Sequence, residues 1–212
     1  VDNGEVQIAS GQPTSDVLAL VQALQNAEYA SSEEAAYEHV DLSVNNGGPF
    51  DPASYGGDAE TALKVRQAFL LSIPRNEIIE KLIKPLNPNA KLRTSVLFVP
   101  GAVGYDEAEA NYAMYLGTDE ENRAMAQQLL AEAGVSTPID VEFWFPEGNV
   151  RRGQQVELIT LSAGQVGFNI VDESEPNWEF TNNVYPAVNP HDATIFAWAA
   201  TSLAVSGDDQ YL

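Results

Sequence analysis

Stretches in which polar and apolar residues alternate are interleaved along this chain with stretches whose apolar residues recur every three or four positions. Alternation puts one face of a strand in a core, and the longer spacing puts a stripe along one side of a helix. Strands separated by helices cannot pair through tight turns, so the chain is restricted to an α/β arrangement with helices covering a mostly parallel or mixed sheet.

Residues 5–9 alternate and read as a short strand. The run Pro13-Thr14-Ser15-Asp16 opens a helix to about residue 25 with Val17, Leu18, Leu20, Val21 and Leu24 as its apolar face. Residues 37–45 read as a half-buried strand, with Tyr37, His39 and Asp41 on one side and Val40, Leu42 and Val44 on the other. The turn-rich Asn46-Gly47-Gly48-Pro49 ends it, and Asp58 offers an N-cap for a helix carrying Ala62, Val65, Phe69 and Leu70 inward. Helical spacing recurs over 76–83, 119–133 and 150–166 and more weakly over 106–116, with Gly134 placed to end the second. Residues 139–145, 167–171 and 193–198 read as strands. The expected fold is one central mixed sheet of about five strands, flanked by helices over 14–25, 58–72, 119–133 and 150–166.

Against 31 acidic residues stand ten basic ones, a formal net charge of −21 that repels phosphate backbones and anionic membranes. Nucleic acid is therefore not an expected partner. The absence of cysteine excludes disulfides and thiolate sites, and two histidines, His39 and His191, are too few for a histidine metal cluster. No apolar run approaches the roughly 18 to 20 residues that span a bilayer, and no signal peptide opens the chain. A start at Val1 and an end at Gln210-Tyr211-Leu212 lead us to expect a piece of a longer protein. No phosphate loop, nucleophile elbow or metal-spaced His/Glu pair occurs; Gly101-Ala102-Val103-Gly104 lacks the third glycine and following apolar helix of a dinucleotide loop. Acidic groups such as Asp119-Glu120-Glu121 stand where helix starts favour them. We expect no enzyme, no cofactor and no metal.

Trp144, Trp178 and Trp198 lie at or just beyond the predicted strand ends, where α/β sheets place ligand crevices. By position alone each fits a core role as well as a ligand wall.

The segment from Val65 to Ile79, with Arg66, Phe69, Ile73, Pro74, Arg75 and Asn76, resembles the signature helix pair of the oligopeptide, dipeptide and nickel binding proteins of ABC importers, family 5 of the extracytoplasmic solute-binding proteins. Pro74 replaces a common aspartate and suits a helix N-terminus. Residues 126–135 are similar to the family's helix-glycine stretch, residues 192–198 to its late strand, and Asn3-Gly4-Glu5-Val6 to the point where such chains leave a first lobe. The resemblance implies a periplasmic-binding-protein-like type II lobe. Residues 1–212 would be the second, C-terminal lobe and residues 1–12 the strand leaving the first, with the ligand trapped between the two.

By the same resemblance Trp198 and Trp178 line the peptide cavity, and Thr201, Ser202 and Asn149 complete the candidate ligand-binding set. Family members usually carry an aspartate three residues after the later tryptophan to pair with a peptide ammonium. Thr201 stands there, able to accept a hydrogen bond but bringing no charge. The run from Thr201 to Gly207 is closer to a divergent actinobacterial branch that includes lipoproteins linked to cell-envelope glycolipid assembly. The implied partners are a peptide or other small polar ligand, the permease subunits of an ABC transporter and the first lobe of the same chain. The implied location is outside the cytoplasm, on the outer face of the membrane through a lipid anchor not in this sequence. The alternative is an envelope interaction or regulatory lipoprotein of the same fold.

Overall fold

A computed structural model of the protein describes residues 3–9, 14–30, 36–95, 98, 100–176 and 190–199. Among them four strands form one sheet: β1 (Ala36–Leu42), β2 (Ile139–Trp144), β3 (Phe168–Asp172) and β4 (Ala193–Ala199). Their order is β1-β4-β2-β3. β1 runs antiparallel to β4, whereas β2 is parallel to both β3 and β4. The sheet is therefore mixed. Residues 3–9 contribute no strand to it: they form turns and irregular backbone, with Ile8 87% exposed. Alternation over 5–9 is only half of a strand, because a ladder partner must supply the hydrogen bonds, and the four described strands pair only with one another.

Four of the described helices, those starting at Ser15, Ala59, Asp119 and Val150, begin where a local side chain satisfies a free N–H group. Thr14 caps α1 (Ser15–Gln22) and Asp58 caps α2 (Ala59–Ser72). Thr118 and Glu121 form a reciprocal capping box on α5 (Asp119–Ala133), and Gly134, with φ of +66°, ends it in a left-handed turn. α3 (Arg75–Ile78) continues as a π-helical turn over Ile79–Ile83. The expected helix over 106–116 is instead α4 (Tyr105–Asn111) followed by a 3-10 turn at Ala113–Tyr115. Only Tyr105 of α4 is buried, so little tertiary packing supports a longer α-helix there. α6 (Val150–Val166) is the crossover between parallel strands β2 and β3.

α2, α5 and α6 pack on one face of the sheet, and Phe69 of α2 is the hub of that core. Its ring lies 5.1 Å from Phe50, 5.2 Å from Phe168 and 6.4 Å from Phe143, all four residues being buried. Burying each ring removes enough apolar surface to contribute about 2 to 3 kcal/mol. The two arginines that carry the family resemblance hold this layer together. Arg66 Nη1 donates to the Phe50 carbonyl at 2.8 Å. Arg75 Nη1 donates to the Leu70 carbonyl at 2.7 Å, and its guanidinium lies over the Tyr115 ring. α1 departs from expectation, because Val17 and Leu20 of its apolar face are exposed and none of its residues is buried.

Candidate functional site

The opposite face of the sheet carries a row of aromatic residues. β1 and β4 pair with Tyr37 directly across from Trp198 and His39 across from Phe196, close enough for direct side-chain contact. His39 and Phe196 meet edge to face at 4.2 Å, and Phe196 meets Trp198 the same way at 5.4 Å. Phe196 is buried, whereas Trp198, one residue before the end of β4, is half-buried. Arg93 lies over the Tyr37 ring, 4.7 Å from its centre, and its Nε donates to the Ser95 carbonyl at 2.7 Å. A row of rings thus ends at the rim beside a cation.

On the other face of the same strand ends, Glu38 lies opposite Ala197. Its carboxylate accepts from Arg152 Nε at 2.6 Å and from Arg151 Nη2 at 3.0 Å. Both arginines open α6, where the Asn149 side chain caps the helix by accepting from the Arg152 N–H at 3.1 Å. The turn that delivers them is closed by the Asn149 N–H on the Pro146 carbonyl. Between this turn and α1 runs a groove of about 490 Å³ walled by Thr14, Val17, Pro146, residues 148–152 and Pro176.

The structure thus gives Asn149 a capping role beside a groove and puts Trp198 on the rim. Trp178, Thr201 and Ser202 lie outside the described residues. Trp144 is fully buried and stacks on His191 with ring centres 6.3 Å apart, which makes it a core residue. Burial holds the His191 pKa below the ordinary imidazole value, against the opposite pull of Glu173, Glu175, Glu142 and Asp192. Among the described residues no group of three or more His, Cys, Asp or Glu side chains could hold a metal ion. Tyr37, Arg93 and Glu38 are not evident as site residues from the sequence. The alternation of 37–45 places Tyr37 on a face, but only the pairing with a strand at the far end of the chain brings that face to Trp198.

The mixed sheet with its helical layer has the fold of periplasmic solute-binding proteins. Solved structures with the same fold include the periplasmic EDTA-binding protein EppA, 22% identical over 93% of this chain with a TM-score of 0.73. The murein tripeptide binding protein MppA of Escherichia coli is 15% identical over 96% with a TM-score of 0.65, and the substrate binding protein CtaP of Listeria monocytogenes 16% over 93% with 0.66. The sequence model described as bacterial extracellular solute-binding proteins, family 5, middle region, matches residues 1–208, and the chain belongs to that family. It spans 36% of the length of each of these three proteins. No curated protein matches it.

Proposed function

We propose that residues 1–212 form the second, C-terminal lobe of a two-lobed receptor that traps a peptide or other polar oligomer and delivers it to the permease subunits of an ABC importer. The observation that carries this reading is the position of Trp198. It is half-buried on the rim at the end of β4, in edge contact with buried Phe196, at the place where the family resemblance puts a ligand wall. Aromatic faces hold varied solutes by area. The reading assigns Trp178 to a second wall, Thr201 and Ser202 to hydroxyl contacts and Asn149, beside the groove, to a polar contact. The ligands of related proteins, EDTA for EppA, a nickel-histidine complex for NikA of Staphylococcus aureus and a murein tripeptide for MppA, are small and polar. A lipid anchor outside this sequence holds the receptor at the outer face of the membrane.

Thr201 in place of a carboxylate favours one other reading, an envelope lipoprotein of this fold that regulates a membrane enzyme or carries a glycolipid. The deciding experiment is mass spectrometry of the small molecules released when full-length protein, purified from its host, is denatured. A recovered peptide or polar oligomer supports the receptor. A recovered lipid overturns it in favour of the second reading.

A further inference from the structure

Two stretches near the start of the chain carry folding signals that the rest of residues 1–212 does not answer. Residues 5–9 alternate as a strand would, yet they join none of the described strands, and Val6 and Ile8 are 48% and 87% exposed. α1 carries Val17, Leu20 and Val21 along one side, yet none of its residues is buried, and Val17 and Leu20 are 47% and 70% exposed. Among the described residues, every hydrogen bond made by residues 3–9 and 14–25 stays within its own stretch. Neither stretch is therefore tied by hydrogen bonds to the sheet or to α2, α5 and α6. An isolated helix shorter than about 12 residues is marginal in water, so the eight residues of α1 need a packing partner to stay helical. A strand likewise needs a neighbour for its N–H and carbonyl groups.

We infer that residues 3–22 are a docking segment that packs on the first lobe, the part of the full-length protein outside residues 1–212. Residues 5–9 join a sheet edge there, and an apolar face of that lobe covers Val17 and Leu20. The inference rests on the two-lobe reading above. The family model that matches residues 1–208 describes a middle region, and the chain spans 36% of the length of EppA, MppA and CtaP. Most of each of those proteins thus lies outside the matched stretch, which is ample chain for the partner surface. A second copy is a poorer occupant, because each copy carries a formal charge of −21 and a large net charge of one sign opposes self-association. α1 itself holds one charged residue, Asp16, so its apolar side can leave water at little electrostatic cost. On this packing the groove that has Thr14 and Val17 on one side and Asn149 and Val150 on the other lies between the two lobes.

The test pairs two measurements on the full-length protein. In hydrogen exchange read by mass spectrometry, residues 5–9 and 15–22 should exchange about a hundredfold or more slower than unstructured chain, at every protein concentration. With photoreactive benzoylphenylalanine in place of Leu20, irradiation should join α1 to residues of the same molecule that lie outside 1–212. If that variant does not fold, the exchange of the unsubstituted protein decides alone. Exchange at the unstructured rate in either stretch overturns the inference, as do cross-links confined to residues 1–212. Cross-links between two molecules, with protection that grows with protein concentration, also overturn it and assign the face to a second copy. A released peptide together with unprotected residues 15–22 removes the docking segment and leaves the receptor reading intact. A released lipid together with protected stretches and cross-links to residues outside 1–212 does the reverse.

Discussion

Arg152 Nε donates to Glu38 Oε1 at 2.6 Å, and this contact ties the start of α6 to the edge strand β1 across the intervening β4. The side chains are 11% and 16% exposed, so the pair is close to a buried one. Glu38→Ala would remove the carboxylate that both guanidiniums share, at a cost on the order of 3 kcal/mol in urea unfolding. Adding Arg152→Met should restore part of that loss. A cost no larger than that of an exposed ion pair, below about 1 kcal/mol, would show that the contact does not fix α6.

A methyl group at Gly48 would lie 1.9 Å from Asp192 Oδ1. That carboxylate cannot easily give way, because it accepts from Asn46 Nδ2 and from the Glu142 N–H, both at 2.9 Å. Gly48→Ala should therefore destabilise the protein by about 1 to 3 kcal/mol. Gly164 is exposed within α6, and nothing lies within 4 Å of the place a methyl group would take there. It should respond oppositely, Gly164→Ala adding up to about 1 kcal/mol. Thermal melts of the two variants moving in the same direction would contradict the geometry.

Asn149→Ala removes the cap of α6 and should cost about 1 kcal/mol, as Thr118→Ala should on α5. Asn149→Asp keeps the acceptor and should recover most of the stability. A solute affinity that falls in Asn149→Ala and stays low in the restored Asn149→Asp would add a direct ligand contact to the capping role.

Burial lowers the His191 pKa, so the folded state binds fewer protons at this site than the unfolded state near the ordinary imidazole value of about 6.5. The stability this contributes is complete above that value and is lost as pH falls through the folded pKa. Denaturant midpoints measured from pH 8 downward should decline in the wild type below about pH 6.5, and His191→Gln should flatten the decline. An equal slope in both proteins would assign the acid sensitivity elsewhere.

Trp198→Ala in the full-length protein should weaken binding of the released solute by on the order of 1 to 4 kcal/mol, as for an aromatic anchor, with little change in melting temperature. Trp144→Ala should do the opposite, since Trp144 is fully buried, and should cost about 3 to 5 kcal/mol of stability. Both variants behaving as stability mutants would remove Trp198 from the ligand wall.

Helix positions are legible in the sequence because their signals are short-range. Asp58 reaches the N–H groups of Glu60 and Thr61, and Thr118 that of Glu121, so both caps act within three residues of where they stand. The α2, α5 and α6 ranges accordingly agree with expectation to within a residue at each end. α1 is legible as a helix through Thr14, yet its exposed Val17 and Leu20 show that an apolar stripe predicts a face and not what covers it.

The sequence by itself determined the family, through the segment around Arg66 and Arg75, and the alternation that makes Tyr37 and His39 one face of a strand. Only the tertiary structure decided which tryptophan is core and which is rim. Trp144 and Trp198 both stand at strand ends in similar apolar runs, but β2 is a central strand, with β3 on one side and β4 on the other. β4 pairs with β2 only at Ala193 and Thr194 and then runs on beside β1 alone. Beyond Thr194 the described part of β4 has β1 alone beside it, whereas Trp144 still pairs with Thr194 on a strand that carries β3 along its other edge, and this sheet pairing, set by contacts remote in the chain, leaves Trp198 half-buried on the rim.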